Sequence, residues 1–382
     1  MRSWLLVAGD FTPYGGMDGA NHALARHLGA SSSVDAVHLV THRAAPDLQT
    51  LPHVSVHTVP RPLGSHALGS ELLARAGFRE WKRLGPDGAQ AIVNGGNCRV
   101  PQAINWVHYV HAAYRPTVSS STVDRVKASV VYRRDVGAER AALRDARVII
   151  CNSRRTSRDV VEHVGVDPAR VLVVYYGSDP QRFSPVTEDA RAAAKTALGF
   201  EAARPLFGFV GALGDRRKAF DTLFSAWIEL CRDPRWDASL LVIGAGRELT
   251  TWQRRAKDNG LTGRISFMGF RRDVPELLAA LDFLVHPARY EAYGLAPHEA
   301  ICRGVPALVS SSAGVAERYP AELADLLIDD ADNVSELRDR LLMVWRERAR
   351  FQPGVLTFGA TLRERTWDLM AREIAIAVET QA

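Results

Sequence analysis

Short runs of branched apolar residues alternate along this chain with longer stretches whose apolar positions recur at helical spacing. The runs predict strands at Trp4–Gly9, Ala36–Thr41, Val54–Val59, Ala91–Asn94, Ala103–His108, Val148–Cys151 and Val171–Tyr175. Helices are predicted between them, notably over Gly19–Leu28 and Val123–Arg144. A second series begins at Leu206–Gly211 and continues at Ser239–Ile243, Arg264–Met268, Asp282–His286 and Val305–Val309. Strands that alternate with helices build a parallel sheet covered on both faces. The pattern occurs twice, so the expected fold class is α/β, with two Rossmann-like domains and a ligand cleft between them. The polar, proline-bearing stretch Asp179–Ala202 is expected to be the hinge. The domains are then 1–183 and 184–360, with an amphipathic tail over 361–380 that packs back on the first.

Composition narrows the class. With 382 residues, 47% hydrophobic and 24% charged, the chain is long enough for two soluble domains. No apolar run approaches the roughly 20 residues of a membrane helix. Trp4–Ala8 is too short for a signal peptide and reads as the first strand. The four cysteines are scattered, without a CxxC pair, which indicates neither a disulfide framework nor a zinc site. A cytoplasmic location is expected. Residues 1–180 carry 21 Lys+Arg against 15 Asp+Glu, and the remainder 27 against 28. A basic first half suits an anionic partner. Contact of Arg125–Arg147 with the inner face of a membrane is one reading, and a solvated helix face is the other. Nucleic acid is not expected, since no aromatic-interleaved basic motif is present.

The chemistry concentrates in HPARYEAYGLAPHEAICRGVP, from His286 to Pro306. Glu291 and Glu299 lie eight positions apart around a loop expected to open into a helix over Tyr293–Arg303. Two carboxylates can accept sugar hydroxyls, and the amides of Tyr293, Gly294 and Leu295 at the helix start can meet an anion. Gly211, Arg217 and Lys218 occupy the loop after Leu206–Gly211, the two cations being placed where the next helix begins. Cations there oppose the helix dipole, which suggests a bound anion. Gly15 and Gly16 follow the first strand, Gly244 ends another, and Met268 lies where backbone could meet a base edge. His108 and His111 end the strand Ala103–His108, with no third ligand at metal-binding spacing. His298-Glu299 lacks the second histidine of a zinc protease, Cys302 standing there. Asp330-Ala331-Asp332 reads as a helix cap.

Taken in order, these segments resemble glycosyltransferase family four, retaining enzymes of GT-B fold. Glu291-Ala292-Tyr293-Gly294-Leu295 is similar to the family's E-G-F-G-L, Glu299-Ala300 to its E-A, and Gly304-Val305-Pro306 to its G-x-P. Gly15-Gly16, Ala146–Ser153, Tyr176–Asp179 with Phe183, and Arg217-Lys218 also match. The resemblance implies that Glu299 binds ribose hydroxyls and that Glu291 holds the transferred sugar. It implies that Arg217 and Lys218 neutralise the diphosphate, that His111 lies near the sugar, and that Gly16 lets the first domain close. Ala212, Ala219, Ala292 and Arg154 depart from the family's Arg, Gly, Gly and Glu.

The expected activity is retaining, metal-independent transfer from a nucleotide-diphosphate sugar to a hydroxyl acceptor of a glycan, glycolipid or secondary metabolite, with no cofactor. The residues do not choose the base. A UDP-sugar is preferred, and a GDP-sugar is the other candidate. The acceptor is expected to meet the loops Gly64–Ser70 and Ala112–Thr122. A nucleotide-sugar epimerase, a phosphorylase relative with pyridoxal phosphate, and a non-catalytic nucleotide-sugar-binding homologue are the alternatives.

Overall fold

The structure, a computed structural model, describes residues 3–85, 88–117, 122–214 and 216–380. Its first strands are β1 (Ser3–Val7), β2 (Asp10–Phe11), β3 (Ala36–Thr41), β4 (Arg43–Ala44), β5 (Val54–Thr58), β6 (Gln90–Val93), β7 (Ile104–Val107), β8 (Val148–Cys151) and β9 (Val171–Val173). The second half holds β10 (Leu206–Val210), β11 (Ser239–Ile243), β12 (Ile265–Gly269), β13 (Phe283–His286), β14 (Ala307–Ser310) and β15 (Leu327–Ile328). Each predicted run forms a strand. The structure adds β2, β4 and β15, whose two residues each are too few to show a period.

Two parallel sheets result, in the orders β5-β3-β1-β6-β7-β8-β9 and β12-β11-β10-β13-β14-β15, and β2 pairs separately with β4. Both sheets grow outward in two directions from a central pair, β1/β6 in one and β10/β13 in the other. That reversal is the topological switch point of a doubly wound fold, where ligands bind at the carboxyl ends of the strands. The chain therefore folds as two Rossmann-like α/β domains.

The division into compact units differs from the expected hinge. Described residues up to 115, 122–177 and 365–380 form one unit, and 116–117 with 178–364 the other. The stretch Asp179–Ala202 is not a linker but part of the second unit. It contains the helix Glu188–Ala197, whose start is capped by Thr187 Oγ1 accepting from Ala190 N at 3.2 Å. At the carboxyl terminus, the helix Val334–Glu364 belongs to the second unit, and Trp367–Thr380 belongs to the first. The latter buries Met370, Ala371, Ile374 and Val378 on one face, which packs against the helix Gly16–Ala30. Of the loops expected to shape the acceptor site, Gly64–Ser70 runs into the helix His66–Leu84. In Ala112–Thr122, residues 118–121 lie outside the described residues, and Thr122 opens the helix Thr122–Asp145.

Aromatic packing sets the central pair of the second sheet. Phe207 on β10 stacks on Phe283 of β13, with ring centroids 4.8 Å apart, and Trp227 and Trp236 close round it at 5.6 and 5.5 Å. Such pairs contribute about 0.5–1.5 kcal/mol each beyond the area they bury. At the amino ends of the same strands, the buried carboxylate of Asp282 accepts from Leu206 N at 2.7 Å and pairs with Lys195 at 2.5 Å and Arg348 at 3.0 Å. The two strands are thus joined by rings in the core and by charge at one end, leaving the carboxyl ends for the loops.

Those loops run backbone against backbone. Gly211 N donates to Ile243 O at 3.0 Å and Leu213 N to Ala245 O at 3.1 Å. Gly244, with φ 147°, lies so close to the Gly211 carbonyl that a β-carbon would collide with it. The glycine, expected on the nucleotide-facing side, here permits close packing of the two loops. Gly244→Ala is expected to lower unfolding stability by at least about 2 kcal/mol. Urea denaturation measures this, and a loss under about 0.5 kcal/mol, the range of an ordinary surface change, would contradict the contact.

Candidate functional site

The two loops that leave β10 and β13 meet at the switch point of the second unit. Lys218 Nζ donates to Glu291 Oε2, and His286 Nε2 lies 2.7 Å from the same oxygen. Burial favours the neutral acid at Glu291, but the Lys218 charge and the His286 hydrogen bond hold its carboxyl well below the usual range. Burial, with Lys218 beside it, also pushes the His286 pKa down, so the imidazole is neutral. An ionised Glu291 can only accept, so His286 Nε2 carries the proton. Its Nδ1 is buried and finds no hydrogen-bond partner among the described residues. The Arg217 guanidinium adds to the positive field at Glu291.

Arg289, which the sequence did not single out, organises both loops. Its guanidinium donates to Asp221 Oδ1 at 2.8 Å, Asp221 Oδ2 at 3.0 Å and Asp332 Oδ1 at 2.6 Å. It also reaches the Arg216 carbonyl at 2.5 Å, while Arg289 N donates to the Arg217 carbonyl at 2.9 Å. Those aspartates raise its pKa despite the opposing effect of burial. Asp332 is therefore an ion-pair partner and not the expected helix cap. The cap is Asn333, whose Oδ1 accepts from Glu336 N at 3.0 Å.

Arg217 and Lys218 do not occupy the first turn of a helix as expected. The helix is Phe220–Leu230, and Ala219 caps it in the left-handed region at φ 50°. With Arg216 also left-handed at φ 56°, the cations sit on a bend before the helix. Asp215, within the expected motif, lies outside the described residues. Ala219 thus adopts a conformation for which glycine is the easier residue. Ala292 does not, since its φ is negative. Ala212 is exposed, and Arg216 lies 3.9 Å from Asp221.

The second helix also starts later than expected. It runs Leu295–Cys302, because Gly294 at φ 110° ends the loop. A β-carbon on Gly294 would stand 2.9 Å from Val315 Cγ1. Gly314 N donates to the Glu291 carbonyl at 3.1 Å and Val315 N to the Tyr293 carbonyl at 2.7 Å, which holds the loop from the far side. Tyr293 is buried, with its hydroxyl 2.8 Å from His298 Nδ1 and 3.2 Å from Arg318 Nη1. Its side chain supports the loop, and its backbone remains at the helix start. Glu299 lies one turn beyond Leu295. Burial pushes its carboxyl up to about 8, opposed by Arg182.

The second unit thus brings together Glu291, Lys218, Arg217 and Gly211, with Tyr293, Gly294, Leu295 and Glu299 on the adjoining loop and helix. Met268 lies beside Gly269, whose carbonyl accepts from Gly244 N at 2.8 Å. It is on the edge strand β12, two strand spacings, roughly 10 Å, from β10. Gly15, Gly16 and His111 belong to the other unit. Gly15 caps and Gly16 opens the helix Gly16–Ala30. His111 is held by the buried Glu139 of the helix Thr122–Asp145. Glu139 Oε1 accepts from His111 N at 2.8 Å and lies 3.0 Å from His111 Nδ1, and Oε2 accepts from Ala112 N at 3.0 Å. A carboxylate already accepting two amides takes the Nδ1 proton as its third donor, leaving Nε2 to act elsewhere. His108 is a different kind of histidine: buried, with its pKa pushed down to about 3, and hydrogen-bonded through Nδ1 to the Tyr176 hydroxyl. Glu139 carries no local signal of its role. It sits 28 positions from His111 within a basic helical run.

Comparison with known proteins identifies the family to which both halves of the chain are similar. Residues 14–182 match the family described as Glycosyltransferase Family 4, and residues 204–347 match Glycosyl transferases group 1. The lipopolysaccharide core biosynthesis mannosyltransferase LpsB of Rhizobium meliloti is 29% identical over 285 residues, 71% of this chain and 73% of that protein. The chain spans about half the length of several other curated relatives it matches, D-inositol 3-phosphate glycosyltransferases among them. Among solved structures, the lipopolysaccharide-biosynthesis glycosyltransferase WaaG superposes with a TM-score of 0.75 at 19% identity, covering 99% of both chains. Anabaena Alr3699/HepE in complex with UDP-glucose gives a TM-score of 0.70 at 18% identity, covering 100% of both chains.

Two outcomes are expected. Removing either member of the largely buried Lys218–Glu291 pair leaves the other charge short of compensation, so Lys218→Ala and Glu291→Ala should each cost up to about 3–5 kcal/mol in chemical denaturation. The double substitution should cost less than their sum, and strict additivity would mean that the charges do not interact. Glu299 keeps its proton in the folded state up to about pH 8, whereas an ordinary carboxyl loses it near 4.5. Its contribution to stability is therefore present at low pH and falls as pH rises through that window. Glu299→Gln should flatten the decline in Tm from pH 5 to 8, and parallel curves for both proteins would contradict the shift.

Proposed function

The chain belongs to the family-four glycosyltransferases of GT-B fold, and we propose that it moves a sugar from a nucleotide-diphosphate donor to a hydroxyl of a growing glycan or glycolipid, with retention of configuration. The observation that carries this reading is the Lys218–Glu291–His286 cluster at the switch point of the second domain. Breaking the anomeric C–O bond builds positive charge on the sugar and negative charge on the departing phosphate. Lys218 and Arg217 stabilise the phosphate, aided by the amides at Gly294 and Leu295, so this chemistry needs no metal. An ammonium has three protons, so Lys218 can hold Glu291 and still donate to a phosphate oxygen.

Glu291, kept ionised, accepts from the hydroxyls of the transferred sugar. Glu299 accepts from the ribose. The acceptor hydroxyl attacks on the face the phosphate leaves, and its proton passes to the leaving phosphate oxygen. No protein base is required. His111, with Nδ1 committed to Glu139, offers Nε2 to a sugar hydroxyl in the first domain. The donor is a UDP-sugar in preference to a GDP-sugar, a choice supported by the UDP-glucose complex of the structurally similar HepE.

The four cysteines are unpaired, which suits a reducing compartment such as the cytoplasm. No described helix is long and apolar enough to cross a membrane. On the helix Thr122–Asp145, however, Val126 and Val130 are 60% and 62% exposed one turn apart, among Arg125, Lys127, Arg133 and Arg134. That face suits peripheral contact with an anionic lipid surface.

Calorimetric titration with UDP- and GDP-sugars tests the donor site. Lys218→Ala should lower kcat/KM about 10²–10³-fold, and Glu299→Ala should weaken donor binding. Unchanged donor affinity in both variants would reject the site. Proton NMR of the first product formed should show the donor's anomeric configuration, and an inverted product would reject retention.

A further inference from the structure

The first domain contains a second cluster of coordinating side chains, none of which is among the residues assigned above to sugar transfer. His38 lies on β3 and His57 on β5, the edge strand of the sheet. The parallel register pairs His38 with Ser55 and Val40 with His57, so the two rings lie on one face, two residues out of step. Their ring centroids are 5.9 Å apart. The helix His66–Leu84 crosses the same face and contributes Glu80, which is 8% exposed. His38 Nδ1 is 3.4 Å and His57 Nε2 3.2 Å from Glu80 Oε1, and all three atoms fall within 4.8 Å of one another.

Two features separate this cluster from an ordinary ion pair. Neither His38 Nδ1 nor His57 Nε2 completes a hydrogen bond with the described residues, although both are buried atoms facing a carboxylate oxygen. Their separations from that oxygen also match a coordination polyhedron. Ligands about 2.0–2.1 Å from a tetrahedral zinc stand about 3.3–3.4 Å from each other.

We propose that His38 Nδ1, His57 Nε2 and Glu80 Oε1 form a binding site for a divalent transition metal, zinc being the ion that best suits two imidazoles and a carboxylate. Three protein ligands leave a fourth position for water, on the side where the His57 side chain is 41% exposed. The ion would tie the edge strand to its neighbour and to the covering helix, a stabilising role. Arg83 competes for the same carboxylate. Its Nη2 donates to Oε1 at 2.6 Å and its Nε to Oε2 at 3.0 Å. The side chain is 57% exposed, so it can release Oε1 to the metal and keep Oε2. The sequence hid this site because its ligands are 19 and 23 positions apart, on two strands and a helix.

The test is calorimetric titration of the metal-free full chain, without a polyhistidine tag, with zinc chloride, alongside the ligand-field absorption of added Co²⁺. Wild type should take up one ion per chain and gain Tm. His57→Ala, a change at a half-exposed ring, should retain the fold by circular dichroism and bind about tenfold more weakly or worse. Arg83→Met should bind more tightly than wild type. Wild type that takes up no zinc, His57→Ala that binds as wild type does, or Arg83→Met with unchanged affinity would each overturn the assignment. Nucleotide-sugar binding by His57→Ala should match wild type, which separates this site from the donor site.

Discussion

Glu291 keeps its charge in a place where burial alone would remove it, and the cluster at the switch point of the second domain depends on that. A buried carboxylate is stable only with a compensating cation and hydrogen bonds. Lys218 supplies the first, from the loop after β10, and His286 one of the second, from the end of β13, 73 and 5 positions away in sequence. The arrangement requires β10 and β13 to be neighbours, so that both loops leave the sheet at the same end. The stacking of Phe207 on Phe283 and the Asp282 charge cluster provide that adjacency well away from the site. Chemistry at one end of the strands is therefore supported by packing along them.

Positive charge is placed here by loop geometry more than by a helix dipole. Arg217 and Lys218 precede their helix, on a bend with left-handed residues at either side, and Arg289 holds the bend by its carbonyls. Asp221 and Asp332 in turn keep Arg289 in place. A loop fixed at several backbone points presents its cations already ordered, so less conformational entropy is lost when an anion binds. Gly294 does the same for the other loop, where a β-carbon would press on Val315.

The first domain prepares its histidine in a similar way. Glu139 is wholly buried, accepts two amides, and takes the Nδ1 proton of His111, which sets the tautomer without further help. Family membership says that such a domain is part of a glycosyltransferase, and these contacts say which ring nitrogen is available. His108, three residues earlier, has the opposite environment and a core role. Two histidines on one short stretch are thus set apart by what packs around them.

Local pattern was sufficient for the strands, the two-domain α/β class and the Glu291–Glu299 segment, because each depends on residues adjacent in sequence. Runs such as Leu206–Val210 and Phe283–His286 can be little other than buried strands. The unit boundary at 177/178, the late helix starts at Phe220 and Leu295, and the true partners of Asp332 were not legible. Each depends on a left-handed turn or a contact made by distant chain. The same holds for Arg289 and Glu139, ordinary charged residues until the fold surrounds them. Sequence by itself determined which groups are candidates for binding a nucleotide-sugar. Only the tertiary structure decided their charge states, because ionisation follows burial and neighbouring charge, and both are properties of packing between segments far apart in the chain.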